Sequence, residues 1–169
     1  DGAIVAQKIR LPNKNFLALG DFSKAGLYGA HLWSGGKKLV ITEGEIDALS
    51  VSQVQDYKWP VVSLPNGAAG AKKIIASNLD YLNRFEEIIF MFDNDDAGRK
   101  AAKECAAVLP VGKAKLAVLP LKDANEMLVA GQGAEIIRAI WNAPVFRPDG
   151  IVDGRELWET VSKELVNDG

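Results

Sequence analysis

Four short apolar runs alternate with segments of helical periodicity: LVIT at 39–42, VVSL at 61–64, IIFMF at 88–92, and KLAVLP at 115–120. A run with no polar face must be covered on both sides. Alternation of such strands with helices therefore predicts an α/β fold, with a mainly parallel sheet flanked by helices. Crossovers in that topology are right-handed, and active residues sit in the crevice at the carboxyl ends of the strands. Helices are expected over Glu45–Val54 (Ile46, Leu49 and Val54 near one face), Gly70 to Phe85, Ala97–Leu109, Ala124–Val129 and Glu135–Trp141. Ahead of them, Ile4 to Leu11 and Phe16 to Leu19 are expected as strands joined by the turn PNKN, followed by an irregular Gly-rich stretch from Gly20 to Gly36.

At 169 residues, 48% hydrophobic and 25% charged, the chain has the composition of one globular domain with a real core. The single Cys105 excludes a disulfide framework and any multi-cysteine metal site, and the single His31 excludes a three-histidine zinc site. No 18-residue apolar window and no signal-peptide pattern supports a membrane or secretory reading. The net charge of −2 is unevenly spread: residues 1–38 carry +4, and Asp149 to the end carries −4. A polyanion partner would thus be met by a local patch rather than by the global field. Proline and glycine in NAPVFRPDG predict that the core ends near Pro148. The expected organisation is a basic segment at 1–38, an α/β core at 39–148, and a linker with an amphipathic helix at 149–169. In that helix Leu157, Trp158, Val161 and Leu165 form an apolar stripe.

Chemistry is indicated by carboxylates placed just past strands. Glu43 follows LVIT in EGEIDALS; Asp93, Asp95 and Asp96 follow IIFMF in DNDDAG; Asp123 follows KLAVLPLK. Neighbouring strands would gather these acids, which raise one another's pKa unless a cation neutralises them. Mg²⁺ suits such a site, taking one or two carboxylates plus substrate phosphates. Strand-like spacing puts Asp93 and Asp95 on one side with Asn94 turned away, and Asp96 is expected to cap the helix that follows. Asp47, four residues after Glu43, faces either the same crevice or only the helix terminus.

The segments EGEIDALS, VSLPNGAAGAKK, IIFMFDNDDAGRKAA and VLPLKDANEML resemble the Toprim domain. With the basic lead-in VAQKIRLPNKNF, they resemble more closely the primase half of the bifunctional primase-helicases of T7-like bacteriophages. The resemblance implies RNA primer synthesis on a single-stranded DNA template from ribonucleoside triphosphates, with Mg²⁺ or Mn²⁺ and two ions once substrate is bound. It implies catalytic and metal roles for Glu43, Asp93 and Asp95, a metal role for Asp123, and phosphate contacts from Lys8, Arg10 and Lys14. Asn66 and Gly67 at the end of the second strand, Lys72 and Lys73 in the helix beyond, and Lys122 beside Asp123 are further candidates for nucleotide or DNA phosphate. Whether Glu43 is a ligand or a proton acceptor stays open.

Implied partners are the replicative helicase portion of a longer chain, docked through the terminal apolar stripe, and a separate zinc-ribbon domain; a membrane is not among them. The implied location is the cytoplasm of a bacterial host. One cysteine cannot build the zinc ribbon, and no GxxxxGK[ST] loop supplies the motor, so a core fragment without zinc is expected. The same acids would serve a Toprim nuclease, and the same fold would serve a catalytically silent DNA-binding or scaffolding domain of a helicase.

Overall fold

The apolar runs assemble into one sheet. The computed structural model describes residues 3–13, 15–22, 24–148, 154, 155 and 158. Within it, β3 (Gly36–Thr42), β4 (Val61–Ser63), β5 (Phe85–Met91) and β6 (Ala114–Leu116) lie in the order β4-β3-β5-β6, all parallel. Two strands ahead of them, β1 (Ala6–Arg10) and β2 (Phe16–Gly20), pair antiparallel as a separate hairpin, with Lys8 opposite Ala18 and Arg10 opposite Phe16. A 3₁₀ turn at Ala30–Leu32 leads into β3.

Alternate residues of each strand enter different cores, which is why the runs are apolar throughout. Leu39, Ile41, Ile88 and Phe90 pack on one face with Ile75, Leu82 and Cys105, from α2 (Ala71–Ser77), α3 (Leu79–Leu82) and α4 (Asp96–Ala106). Val40, Ile89 and Met91 pack on the other with Val51, Met127 and Ile136, from α1 (Glu45–Val54), α5 (Ala124–Val129) and α6 (Gly133–Asn142). Each fully buried side chain of this size contributes about 1.5–3 kcal/mol of transfer free energy, so neither face tolerates water.

Two local expectations are corrected. The helix expected from Gly70 to Phe85 is broken at Asn78 into α2 and α3, and Phe85 already belongs to β5. The Asn78 side-chain amide donates to the Ile74 carbonyl at 2.8 Å, capping the last turn of α2, while pairing with Gly36 draws Phe85 into the sheet. On α1 the inward face is Ala48, Ser50 and Val51, whereas Ile46 and Leu49 stand exposed at 39% and 49%. This helix lies against both the sheet and α5–α6, and only small side chains permit that approach. At Gly133, opposite Val54, an added Cβ would come within 2.8 Å of Val54 Cγ1.

The topology creates a crevice. From β3 the chain moves outward to β4, and from β5 it moves outward in the opposite direction to β6. The reversal falls between β3 and β5, whose last residues Thr42 and Met91 are register partners. Among the described residues no helix is long and apolar enough to cross a membrane. Of the terminal stripe, Leu157, Val161 and Leu165 lie outside the described residues; Trp158 is helical and exposed.

Candidate active site

Glu43 is the first residue beyond β3 and Asp93 the second beyond β5, so the sheet register delivers both to the reversal point. Glu43 Oε1 accepts the Ala68 backbone N–H at 3.3 Å, and the Asp93 N–H also lies against this carboxylate. Oε2 is buried without a partner in bonding geometry. Burial first, and the Asp93 charge second, push the Glu43 pKa up. Gly67 takes a left-handed φ of 65°, and a Cβ there would lie 3.7 Å from Glu43 Oε1. The Asn66–Gly67 loop thus turns directly over the glutamate.

Asp93 is likewise raised, by burial above all, although Lys122 Nζ stands 3.4 Å from its Oδ2 and opposes the shift. The same contact pushes the exposed Lys122 ammonium up. Asn94 ties the turn after β5 to the one after β6, its N–H donating to the Lys122 carbonyl at 2.6 Å and its Nδ2 to the Leu119 carbonyl at 2.8 Å. The helix cap differs from expectation. Asp95, not Asp96, is the N-cap of α4, its Oδ1 accepting the Gly98 N–H at 2.8 Å, while Asp96 is the first helical residue and pairs with Arg99. Strand geometry ends at Met91, so the alternation that would align Asp93 with Asp95 does not persist to them. Asp95 keeps one oxygen free of the cap and stands exposed.

Asp123 caps α5 through a 2.8 Å bond from the Glu126 N–H. Asp47 belongs to the crevice rather than only to the helix terminus. Its Oδ1 accepts the Asn125 N–H at 3.1 Å, and burial, followed among the raising causes by the charges of Asp123, Asp93 and Glu43, lifts its pKa to about 7. Asn125 Nδ2 bonds Ser50 Oγ, joining α5 to α1 across 75 positions of sequence. No local pattern announces Asn125 or Ser50; only the packing of α1 on α5 brings them there.

The basic candidates divide. Lys8 reaches the rim, but its ammonium sits 3.0 Å from both oxygens of Glu45, 3.4 Å from the Pro65 carbonyl and 4.6 Å from the Phe16 ring centre. Arg10 is exposed and lies 5.9 Å from the same ring, so the two share a face as strand spacing requires. Lys14 lies outside the described residues. Lys72 and Lys73 are exposed on α2, on the side of the sheet covered by α2 and α4.

Among the described residues, no three carboxylate, thiol or imidazole groups are close enough together to hold one ion. The donor set nevertheless fits a hard divalent cation. Glu43 presents a buried oxygen with no partner, and Glu43, Asp93 and Asp47 all have raised pKa values that a cation would relieve. A cation that takes one or two carboxylates and completes its shell with water and phosphate does not need three converging acids.

The sequence matches the Toprim-like family over residues 40–128, a stretch that runs from within β3 to within α5 and includes Glu43, Asp47, Asp93, Asp95 and Asp123. The chain belongs to that family. This Toprim chain is 51% identical over 168 residues to the DNA helicase/primase of Enterobacteria phage T3, covering 99% of the chain and 30% of that relative. It superimposes on the primase fragment of the bacteriophage T7 primase-helicase protein with a TM-score of 0.80 at 55% identity, covering 83% of this chain and 59% of that one. A chain from a structure of the T7 lagging-strand DNA polymerase, interacting with primase domains bound to an RNA/DNA hybrid and dTTP, gives 0.81 at 54% identity, covering 86% and 74%. The Toprim chain is thus closely related to the T7 and T3 primase domains, and spans about a third of the T3 protein's length.

Proposed function

We propose that this chain is a primase catalytic core that joins ribonucleotides on a single-stranded DNA template by metal-dependent nucleotidyl transfer. The observation that carries the reading is the convergence of Glu43 and Asp93 at the reversal point between β3 and β5, with a buried Glu43 oxygen left unpaired. Close relationship to phage primase domains supports it. In this reading residues 39–148 are the catalytic core, 1–38 a basic lead-in and 149–169 a linker. The helicase portion and a zinc-ribbon domain are partners in a longer chain, working in the cytoplasm of a bacterial host.

Glu43 and Asp93 would hold Mg²⁺ or Mn²⁺, with Asp95 contributing its uncapped oxygen and Asp123 and Asp47 holding negative potential at the crevice wall. The chemistry supplied by such ions when bound is activation of a primer 3′-hydroxyl and neutralisation of the triphosphate. The chain's own residues do the rest. Lys122 brings an ammonium group beside Asp93 and Lys8 brings one beside Pro65, both for phosphate, and Asn66–Gly67 lets a phosphate approach the backbone closely. Arg10, Lys14, Lys72 and Lys73 are further candidates to contact the template backbone. Leu157, Trp158, Val161 and Leu165 are the face for the helicase portion.

The test supplies a short RNA primer annealed to single-stranded DNA, labelled ribonucleoside triphosphates and either metal, beside an Asp93→Ala/Asp95→Ala variant. Template-dependent extension lost in the variant supports the proposal. Failure to extend under either metal with DNA binding intact refutes it in favour of a scaffolding domain, and shortening of a strand refutes it in favour of a nuclease.

A further inference from the structure

The hairpin β1–β2 exposes most of its surface, including Ile9 at 41%, Phe16 at 52%, Leu17 at 46% and Leu19 at 46%, and it belongs to neither buried core. What ties it to the sheet domain at the crevice is Lys8. The ammonium is shared by both Glu45 oxygens and the Pro65 carbonyl, with the Phe16 ring covering it, and the Lys8 and Glu45 side chains are only 23% and 21% exposed. Two partly desolvated charges in a bidentate arrangement interact more strongly than a surface pair. Glu45 stands in the first turn of α1, two residues beyond Glu43, and Pro65 immediately precedes the Asn66–Gly67 loop that covers Glu43. One lysine therefore joins three pieces of chain at the rim of the crevice.

The geometry points to Glu45 as a positioning residue: it latches the hairpin through Lys8 and holds that ammonium where a nucleotide triphosphate enters. The nucleotide half of this inference rests on the function proposed above; the latch does not. Glu45 acts through Lys8 and touches no substrate. Phosphate oxygens arriving at the rim would take the N–H now directed at the Pro65 carbonyl, whose contact at 3.4 Å is the longest of the three, from a lysine already fixed in place, so little side-chain entropy remains to be lost on binding.

Two readouts on Glu45→Gln test this, with Lys8→Met and the double variant alongside. The first needs no ligand: amide hydrogen exchange across residues 6–20 is expected to accelerate about tenfold in Glu45→Gln and Lys8→Met, with β3 and β5 unchanged. Exchange at the wild-type rate in the hairpin overturns the latch whatever the protein binds. The second is nucleotide titration during primer extension. Glu45→Gln is expected to raise the nucleotide KM about 3- to 10-fold at nearly constant kcat, and the double variant to match Lys8→Met alone. Additive effects, or a fall in kcat at constant KM, overturn the positioning role. A weakened hairpin with no change in KM for any variant overturns the assignment of Lys8 to phosphate and leaves the latch standing.

Discussion

Gly98→Ala sets two effects against each other at the entrance to α4. In a helix interior Ala is favoured over Gly by about 1 kcal/mol, so on propensity alone the change stabilises. The tertiary structure opposes it: a Cβ on Gly98 would lie 2.2 Å from the Asp93 carbonyl oxygen, 3.0 Å from its carbonyl carbon and 3.1 Å from its nitrogen. These are backbone atoms at the end of a buried strand, so no side chain can swing aside. Relief requires α4 to move outward by about an ångström, which weakens the cap from Asp95 and shifts Asp93 in the crevice. Overpacking of this kind costs about 1–3 kcal/mol, and an overlap this deep against backbone belongs at or beyond the upper end. The net expectation is a loss of about 2 kcal/mol, or about 4–8 °C in Tm for a chain of this length. Thermal denaturation followed by circular dichroism measures it, and primer extension should fall further than stability does because Asp93 moves. A variant as stable as the parent, or more so, would refute the reasoning, since helix propensity would then outweigh the contact.

A cation bound at ten times its Kd should raise Tm by about 3–6 °C, from RT ln(1 + [L]/Kd) and the entropy of unfolding, and the gain should vanish in Glu43→Gln/Asp93→Asn; an equal gain in that variant would place the ion elsewhere. For Asp47, a folded pKa of about 7 against its ordinary 3.8 means that the folded state holds the extra proton. The stability this contributes is complete below pH 3.8 and lost as pH rises through 7, so without divalent ions Asp47→Asn should lose less Tm between pH 5 and 8 than the parent. Asp95→Ala should cost about 1 kcal/mol through loss of the α4 cap, whereas Asp96→Ala should stay within about 0.5 kcal/mol because its partner Arg99 is exposed. Burial pushes the Cys105 thiol up to about 12, so a thiol reagent should label it only as fast as the domain unfolds.

The sequence by itself determined the sheet and the central acids. LVIT, VVSL and IIFMF are legible because a strand buried on both faces admits no polar residue. The bounds expected for α1 and α5 coincide with the helices found. Glu43 and Asp93 could be placed in advance because parallel strands send the residues after them to the same edge.

Other decisions belong to the tertiary structure alone. Which residue caps α4 depends on where strand geometry stops, and the apolar run continues one residue past the last paired position. Which face of α1 turns inward depends on how closely α5 and α6 approach, so Ala48 and Val51 displaced the larger Ile46 and Leu49 from the core. Asp47 meets Asn125, and Lys8 meets Glu45, through contacts 78 and 37 positions apart that no local periodicity encodes. Residue type and spacing reveal which groups a sheet edge will gather; hydrogen-bond and charge partners among them are chosen by three-dimensional proximity, which local sequence does not specify.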